Sequence, residues 1–313
     1  MSKILGLHHI TAIAGDAQRN YDFYTKILGF RLVKKTVNFD DPTTYHFYFG
    51  DEVGSPGTIL TFFPWANIRQ GQNGVGMATE VDYSIPKGSL NFWKTRFEKL
   101  NISYKLSEKF GEKHIAFSDP DGLNISLIES RQKDNRKGRE TDEINADVAI
   151  KGFYTVTLIL NNIKGTATIL TEVFGYNFLE QKENLYRYQT ESVENAALID
   201  LLEMPLASKG LNAGGTIHHI AFRVKDEETL MAFREKIVSK GLHITEKISR
   251  DYFFSLYFRE PGGVLFEIAT DNPGFATDET VEKLGTSLQL PIQHEPLREK
   301  IEKALPVLKT DDK

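Results

Sequence analysis

Two pairs of adjacent histidines are the residues of this sequence best suited to bind a metal or move a proton. They are His8-His9 and His218-His219, and each pair lies in a segment predicted to be the first strand of a structural module. Side chains of a strand alternate between its two faces, and positions 220, 222 and 224, which share a face with His218, are all apolar. That face is expected to meet a helix. We therefore predict that His219, and by analogy His9, faces a cavity.

One glutamate is placed to complete a metal site with these histidines. Glu267 lies in the middle of the predicted strand Val264–Ala269, in the row opposite three apolar side chains. Burying an unpaired carboxylate is costly, and a bound metal ion removes that cost. The alternative is a salt bridge, for instance to Arg250 or Arg223.

Two imidazoles and one carboxylate on a divalent ion leave coordination positions open for other molecules. This set is typical of non-haem Fe(II) oxygenases, although zinc also binds two histidines and a glutamate. The chain has no cysteine, which excludes thiolate zinc sites, iron–sulfur clusters, disulfides and a cysteine nucleophile. We predict that His9, His219 and Glu267 bind Fe(2+), with Mn(2+) and Zn(2+) as alternatives.

The elements that position these residues repeat along the chain. The sequence reads as four similar modules, each with a strand, a helix and three further strands. Leu28-Gly29-Phe30 matches Phe174-Gly175-Tyr176 at an offset of 146 residues (28 to 174). Pro120-Asp121-Gly122 matches Pro261-Gly262-Gly263 at an offset of 141 residues (120 to 261). Offsets that hold at separate landmarks indicate duplication.

The duplication also predicts how many metal sites the chain contains. At these offsets, the positions equivalent to the three predicted ligands are Ala78, Ser126 and Thr155. Modules two and three therefore lack the ligand set. We predict a single site, assembled where modules one and four meet, although they come from opposite ends of the chain.

Composition divides the chain into two halves and a tail. The N-terminal half, residues 1–131, and the C-terminal half, residues 148–272, hold two modules each. The charged segment 132–147 is predicted to be a linker. Residues 273–313 are predicted to form a tail with one short amphipathic helix.

Charge and hydropathy limit the partners of the protein. The formal net charge of -5 comes from well-mixed acidic and basic residues, which argues against binding to nucleic acid or to an anionic membrane. We see no signal peptide at the start of the chain and no apolar stretch long enough to span a bilayer. We therefore expect a cytoplasmic protein. The sequence does not specify an oligomeric state, and a homo-oligomer is compatible with it.

Three motifs resemble those of a known family. The segments Gly6–Thr11 and Thr216–Phe222, and the spacing of Arg250, Tyr257 and Glu267, are similar to those of the vicinal oxygen chelate superfamily, which comprises glyoxalases, bleomycin-resistance proteins and extradiol dioxygenases. Within it, the chain resembles bacterial ring-cleaving dioxygenases of the hydroquinone type over nearly its whole length. The resemblance implies an α+β fold in which four βαβββ modules form two open, barrel-like mixed sheets.

The resemblance also implies roles for the site residues. His9, His219 and Glu267 would bind iron, and five further residues would surround the substrate. These five are His8, Thr11, His218, Arg250 and Tyr257. Among them, Tyr257 could hydrogen-bond a substrate oxygen, and Arg250 could stabilise an anionic substrate or a peroxide.

Two of these five residues conflict with ideal strand geometry. Alternation directs His8 and His218 away from the cavity, whereas the resemblance places them beside the substrate. A β-bulge or a strong twist would reconcile the two. Either residue could then act as an acid–base, because the unperturbed histidine pKa lies near neutrality. The other four histidines show no partner pattern and are interpreted as structural or surface residues: His46, His114, His243 and His294.

Together these interpretations predict a function. We expect a Fe(II)-dependent ring-cleaving dioxygenase that acts on hydroquinone- or catechol-type aromatics, in quinone detoxification or aromatic catabolism. Its partners would be a small aromatic diol and O2. Two other classes stay open: a metal-dependent isomerase or transferase of the glyoxalase kind, and a protein that binds an aromatic ligand without turnover. The ring substituents and the cleavage position are not predicted.

Overall fold

The structure is a computed structural model that describes residues 3–131 and 133–310. Residues 1 and 2 of the N-terminal half, residue 132 of the predicted linker and residues 311–313 of the predicted tail lie outside the described residues. The strands of modules one and two are β1 (Leu7–Ala14), β2 (Arg31–Val37), β3 (Tyr45–Gly50), β4 (Ile59–Pro64), β5 (Met77–Ile85), β6 (Tyr104–Lys109), β7 (Glu112–Ser118) and β8 (Asn124–Glu129). The strands of modules three and four are β9 (Gly152–Leu160), β10 (Asn177–Lys182), β11 (Leu185–Gln189), β12 (Leu198–Glu203), β13 (Ile217–Val224), β14 (Ile248–Ser249), β15 (Phe253–Arg259) and β16 (Leu265–Pro273).

Helices occupy the predicted position after the first strand of each module. The helices of the described residues are α1 (Ala17–Asp22), α2 (Leu90–Lys99), α3 (Lys164–Thr168), α4 (Glu227–Ser239) and α5 (Arg298–Ala304), with π-helical turns at Phe23–Ile27 and Ile169–Val173 and short 3-10 turns at Phe275–Thr277, Val281–Lys283 and Glu295–Leu297. The two π-helical turns begin 146 residues apart (23 to 169), and each is followed by a glycine with φ of +78°, Gly29 and Gly175. A left-handed residue after a helix favours glycine. The shared distortion supports the predicted duplication.

The strands form two curled, open mixed sheets of eight strands each. One sheet has the order β14-β15-β16-β13-β1-β4-β3-β2 and combines modules four and one. The other has the order β10-β11-β12-β9-β5-β8-β7-β6 and combines modules three and two. In the centre of the first sheet, β1 pairs antiparallel with β13, and each is parallel to the last strand of its own module. The predicted α+β fold with two open sheets is confirmed.

This topology interleaves the two halves of the chain. Each sheet takes one module from each half, so the predicted halves are not separate bodies, and their boundaries stay a prediction. The described linker residues, 133–147, contain no helix or strand. Arg136 of this segment donates to the backbone oxygens of Gly57 (3.2 Å) and Phe153 (2.9 Å), and so ties modules one and three together.

The apolar faces of the central strands pack on the helices, as predicted for β13. The ring of Phe222 lies 4.7 Å from that of Phe174, at the end of the helix of module three, and Phe174 lies 5.9 Å from Phe233 of α4. The tail packs on module one, where the buried Lys34 binds the carboxylates of Asp278 and Glu279 (2.6 Å to Glu279). Among the described residues, no helix has the length and apolarity needed to cross a membrane.

The turn between β7 and β8 contains a buried carboxyl group. Asp119 accepts hydrogen bonds from the backbone N–H groups of Asp121 and Leu123 (2.9 Å each) and from the hydroxyl of Tyr24 (3.0 Å). Burial raises the pKa of Asp119 from 3.8 to about 6. Between these pH values the folded protein holds a proton that the unfolded chain has lost, so folding is favoured at the lower pH.

The variant Asp119→Asn keeps the shape of this side chain but cannot ionise. Relative to the variant, the wild-type protein is expected to lose about 2 kcal/mol of unfolding free energy as the pH rises from about 4 to 7, since one pKa unit corresponds to about 1.4 kcal/mol. Urea denaturation of both metal-free proteins across this range measures the difference. A difference that does not change with pH would contradict the raised pKa.

Candidate metal centre

Three polar side chains from three adjacent strands meet in the first sheet. His9 projects from β1, His219 from β13 and Glu267 from β16, and all three are buried. One oxygen of Glu267, Oε2, lies 3.1 Å from Nε2 of His9 and 2.9 Å from Nε2 of His219. The three candidate ligand atoms lie within 4.8 Å of one another. The predicted meeting of modules one and four is confirmed, and metal binding by these residues stays a prediction.

The facing atoms of this cluster fit a metal ion better than they fit one another. Nε2 of His219 and Oε2 of Glu267 are buried and, despite their proximity, neither has a hydrogen-bond partner of proper geometry. Leaving such atoms unsatisfied is costly, and a divalent cation between them would remove the cost. The alternative salt bridge is not formed, because Arg223 pairs with Asp271 (2.6 Å) and, among the described residues, no arginine or lysine pairs with Glu267.

The electrostatics of the cluster agree with this fit. Burial alone would raise the pKa of Glu267, but the adjacent His9 and His219 hold that pKa well below its usual range. Burial lowers the pKa of His219. The cluster therefore presents an ionised carboxylate and a neutral imidazole, which are the protonation states that bind metals.

The first member of each histidine pair holds the second in place. Nδ1 of His8 lies 2.9 Å from Nδ1 of His9, and Nδ1 of His218 lies 2.8 Å from Nδ1 of His219. Metal-binding histidines usually engage their second ring nitrogen in this way, which fixes the ring and its tautomer. The sequence did not predict this contact between neighbours.

Two β-bulges make these contacts feasible. In the pairing of β1 with β13, the register shifts between Leu7 and His9 and again between Thr11 and Ala12. The first shift leaves His8 as the extra residue on β1, and the second leaves His218 as the extra residue on β13. A bulge re-aims side chains that strict alternation would direct elsewhere. Bulges are thus present at both strands, but only His218 lines the cavity described below, and His8 does not.

A cavity of about 500 Å³ opens beside the cluster and is lined by His9 and His219. Its walls are largely aromatic and include Phe39, Phe63, Trp65 and Phe253; we call it the aromatic cavity. Volume and lining suit a small aromatic molecule. Of the five residues that the resemblance places around a substrate, four line this cavity: Thr11, His218, Arg250 and Tyr257. The fifth, His8, lies behind His9, with its ring 5.2 Å from that of Phe253.

The side chains of Arg250 and Tyr257 contact each other in the wall of the aromatic cavity. Nε of Arg250 donates to the hydroxyl of Tyr257 (3.3 Å), and the guanidinium lies 5.3 Å from the rings of Tyr257 and Phe39. Burial, followed by the charge of Glu267, raises the pKa of Tyr257. The phenol therefore stays protonated and available as a donor.

The structure adds His46 to the aromatic cavity. Of the structural and surface interpretations of this residue, only the structural one is compatible with its burial, and it also lines the cavity. Its Nε2 lies 2.8 Å from the hydroxyl of Thr61, which lies 2.9 Å from that of Thr11, and the hydroxyl of Tyr48 lies 3.0 Å from Nδ1 of His46. The spacing of His46 and Tyr48, two residues apart on one strand, was the signal that could have placed both on one face.

The structure also corrects the expectation that His8 or His218 has a pKa near neutrality and could act as an acid–base. Burial, then the neighbouring His219 and Arg259, lower the pKa of His218 to about 3. Burial likewise lowers the pKa of His8 well below its usual value. Both rings are therefore neutral at pH 7, and neither carries the proton that a resting acid would need.

Ser255 of β15 supports the carboxylate from the side away from the histidines. Its hydroxyl donates to Oε1 of Glu267. We expect Ser255→Ala to weaken metal binding by about tenfold to a hundredfold, the usual cost of losing a partner of a metal ligand. Competition with a chromophoric chelator measures the affinity. Ser249→Ala, on the adjacent β14, is the control, and equal affinities of the two variants would contradict the role of Ser255.

Comparison with known proteins identifies the family. The family model described as Glyoxalase/Bleomycin resistance protein/Dioxygenase superfamily matches residues 6–83 and 152–268. The chain is 46% identical to the protein named "Putative ring-cleaving dioxygenase MhqO" of Bacillus subtilis (strain 168), over 97% of this chain and 96% of that protein. It is 33% identical to the chlorohydroquinone/hydroquinone 1,2-dioxygenase of Sphingobium indicum, over 96% of this chain and 95% of that enzyme.

Solved structures agree with this assignment. A crystal structure titled as a "putative dioxygenase" from Bacillus subtilis superposes with a TM-score of 0.96 at 45% identity and covers 100% of both chains. Glyoxalase I from Zea mays shares the fold, with a TM-score of 0.62 at 14% identity over 85% of this chain and 92% of that one. The chain therefore belongs to the glyoxalase, bleomycin resistance protein and dioxygenase superfamily.

Proposed function

We propose that this protein is a Fe(II)-dependent dioxygenase that opens the ring of a hydroquinone- or catechol-type diol, in quinone detoxification or aromatic catabolism. The observation that carries the proposal is the buried cluster of His9, His219 and Glu267 at the wall of an aromatic cavity, with facing atoms that lack hydrogen-bond partners. The relatives named for ring cleavage support the reaction class and the substrate class.

In this proposal, His9, His219 and Glu267 hold the metal. When bound, iron would supply a common centre for the diol and O2 and a path for electrons between them. The aromatic walls, among them Phe63 and Phe253, would orient the plane of the ring and exclude water.

The polar residues of the aromatic cavity would act on the substrate oxygens. The protonated hydroxyl of Tyr257 would donate to an oxygen of the diol, and the charge of Arg250 would stabilise negative charge that develops there. Thr11 and His218 would contact the substrate from the strands that carry the ligands. His8 does not line the cavity, and we propose that it orients His9 instead.

Oxygen uptake tests the proposal. Protein loaded anaerobically with Fe(II) is mixed with hydroquinone, methylhydroquinone or catechol in air-saturated buffer. We expect one O2 to be consumed for each diol, with loss of the aromatic absorbance. No uptake with any of these diols, despite full iron loading, would contradict the proposal.

The same assay separates the two alternative classes. A glyoxalase-type isomerase or transferase would turn over without O2 and would accept a redox-inert metal such as Zn(II). A protein that only binds an aromatic ligand would retain the diol unchanged in air. The Zn(II)-loaded protein is therefore the control, and we expect it to consume no O2.

A further inference from the structure

A second cavity adjoins the candidate metal centre on another side. It has a volume of about 720 Å³ and lies where loops of modules two and three meet the end of module four. His218, His219 and Leu265 line both this cavity and the aromatic cavity, so they form the wall between the two. A molecule bound at the metal centre would therefore lie next to both cavities.

The two cavities differ in charge. Lys209, Arg259 and two asparagines line the second cavity, and none of its lining residues, all within the described part of the chain, is acidic. We call it the polar cavity. Its lack of acidic groups is unusual in a chain whose net charge is -5.

Acidic residues lie at the rim of the aromatic cavity. Among the described residues, Asp40 and Asp41 line it together with one arginine, Arg250, and no lysine. Hydrogen bonds from Thr43 and Thr44 lower the pKa of Asp41 to about 2, so this carboxylate is ionised at neutral pH. A neutral molecule can pass these two carboxylates without penalty, whereas an anion that passes them meets like charge.

Arg259 is positioned to act at the wall between the cavities. Its guanidinium donates to the backbone oxygen of Gly263 (2.9 Å), in the turn that precedes β16. It lines the polar cavity together with His218 and His219, which form the wall. Its other guanidinium nitrogens have no hydrogen-bond partner within the described part of the chain, so they can bind a carboxylate in the bidentate manner that arginine favours.

The proposed reaction converts a neutral substrate into an anion. Breaking the bond between a hydroxyl-bearing ring carbon and its neighbour, with both atoms of O2 added, turns the first carbon into a carboxylic acid and the second into a carbonyl. The ring loses the four electrons that reduce O2, so no other reductant is needed. A carboxylic acid with a pKa of about 4 then loses its proton at pH 7.

We propose that the polar cavity is an anion subsite that receives the carboxylate of the ring-opened product through Lys209 and Arg259. The diol enters the aromatic cavity as a neutral molecule, and the acidic rim there disfavours the product. The inference rests on the proposed function, because only ring opening supplies the anion.

Binding of an unreactive product analogue tests this subsite without turnover. The probe is sorbate (2,4-hexadienoate), an open-chain six-carbon carboxylate, titrated calorimetrically into anaerobic, metal-loaded protein. We expect Lys209→Gln with Arg259→Gln to weaken sorbate binding about tenfold, roughly threefold for each partly exposed ion pair. The affinity for hydroquinone should not change. Lys87→Gln, at an exposed lysine that lines neither cavity, is the control.

Competition distinguishes the two cavities. If sorbate occupies the polar cavity, saturating sorbate leaves the dissociation constant of hydroquinone unchanged within about twofold, the scatter expected of independent sites. Three results would overturn the inference. One is mutual exclusion of sorbate and hydroquinone, and another is the absence of sorbate binding. The third is an unchanged sorbate affinity in the protein with Lys209→Gln and Arg259→Gln. Sorbate binding that requires both cations, in a protein that consumes no O2, would support the subsite while the proposed function failed.

Discussion

Glu267→Gln is expected to lower the metal affinity of the protein by more than about a hundredfold and to abolish ring cleavage. Loss of a mere hydrogen-bond partner of a ligand costs about tenfold to a hundredfold, so loss of the ligand's charge should cost more. The amide keeps the volume of the side chain and can still accept the hydrogen bond from Ser255. Metal content after anaerobic gel filtration, and O2 uptake with hydroquinone, are the two measurements.

A second buried glutamate supplies the control for this variant. Glu260 is also buried, but it accepts hydrogen bonds from Thr166 and from the backbone N–H groups of Gly262 and Val264. Among the described residues, no histidine is paired with it. Glu260→Gln should therefore retain its metal. Stoichiometric iron in folded Glu267→Gln protein would show that the cluster is not the metal site.

Duplication and strand alternation explain why the ligand cluster could be predicted from the sequence. The polar position of Glu267 contrasts with its apolar neighbours, and the equivalent positions Ala78, Ser126 and Thr155 show that the other modules cannot repeat the site. Two ends of the chain meet because β1 and β13 pair in the centre of one sheet. Residues can be assigned to the core face or the cavity face by alternation whenever the two faces of a strand differ in polarity.

The same reasoning fails where both faces of a strand are buried. All six residues of β3 are buried, so its sequence offers no contrast between a core face and a cavity face. The spacing places His46 and Tyr48 on the same face but does not show that this face borders the cavity. The sequence left both a β-bulge and a strong twist open at His8 and His218. Periodicity could not choose between them, because a bulge breaks the period on which that reasoning rests.

The duplication predicts that modules two and three lack the ligand set, but it does not predict which side chains surround the equivalent positions. In the first sheet, Thr61 of β4 pairs with Thr11 of β1. At the corresponding place in the second sheet, Asp200 of β12 pairs with Thr157 of β9, and Arg187 of β11 lies beside Asp200. The polar network that borders the aromatic cavity is thus replaced by buried ions. Composition shows the charges, but only the three-dimensional pairing shows that they neutralise one another.

The second sheet holds a buried ion network in place of a ligand site. Arg187, which is 1% exposed, binds Asp200 through two parallel contacts (2.8 and 2.9 Å) and Glu112 through a third (2.6 Å). Both carboxylates are buried. A buried pair of this kind adds little compared with a well-packed apolar core, but removing one partner leaves an uncompensated charge.

Arg187→Met should therefore lower the unfolding free energy by about 3–5 kcal/mol, because Asp200 loses its ion pair and stays buried. Urea denaturation measures the loss. Adding Asp200→Asn and Glu112→Gln to the same chain removes the stranded charges and should recover most of it. Neither protein should lose metal affinity, since the network lies in the other sheet from His9. A loss below about 1 kcal/mol, the worth of an exposed pair, would show that water reaches these ions.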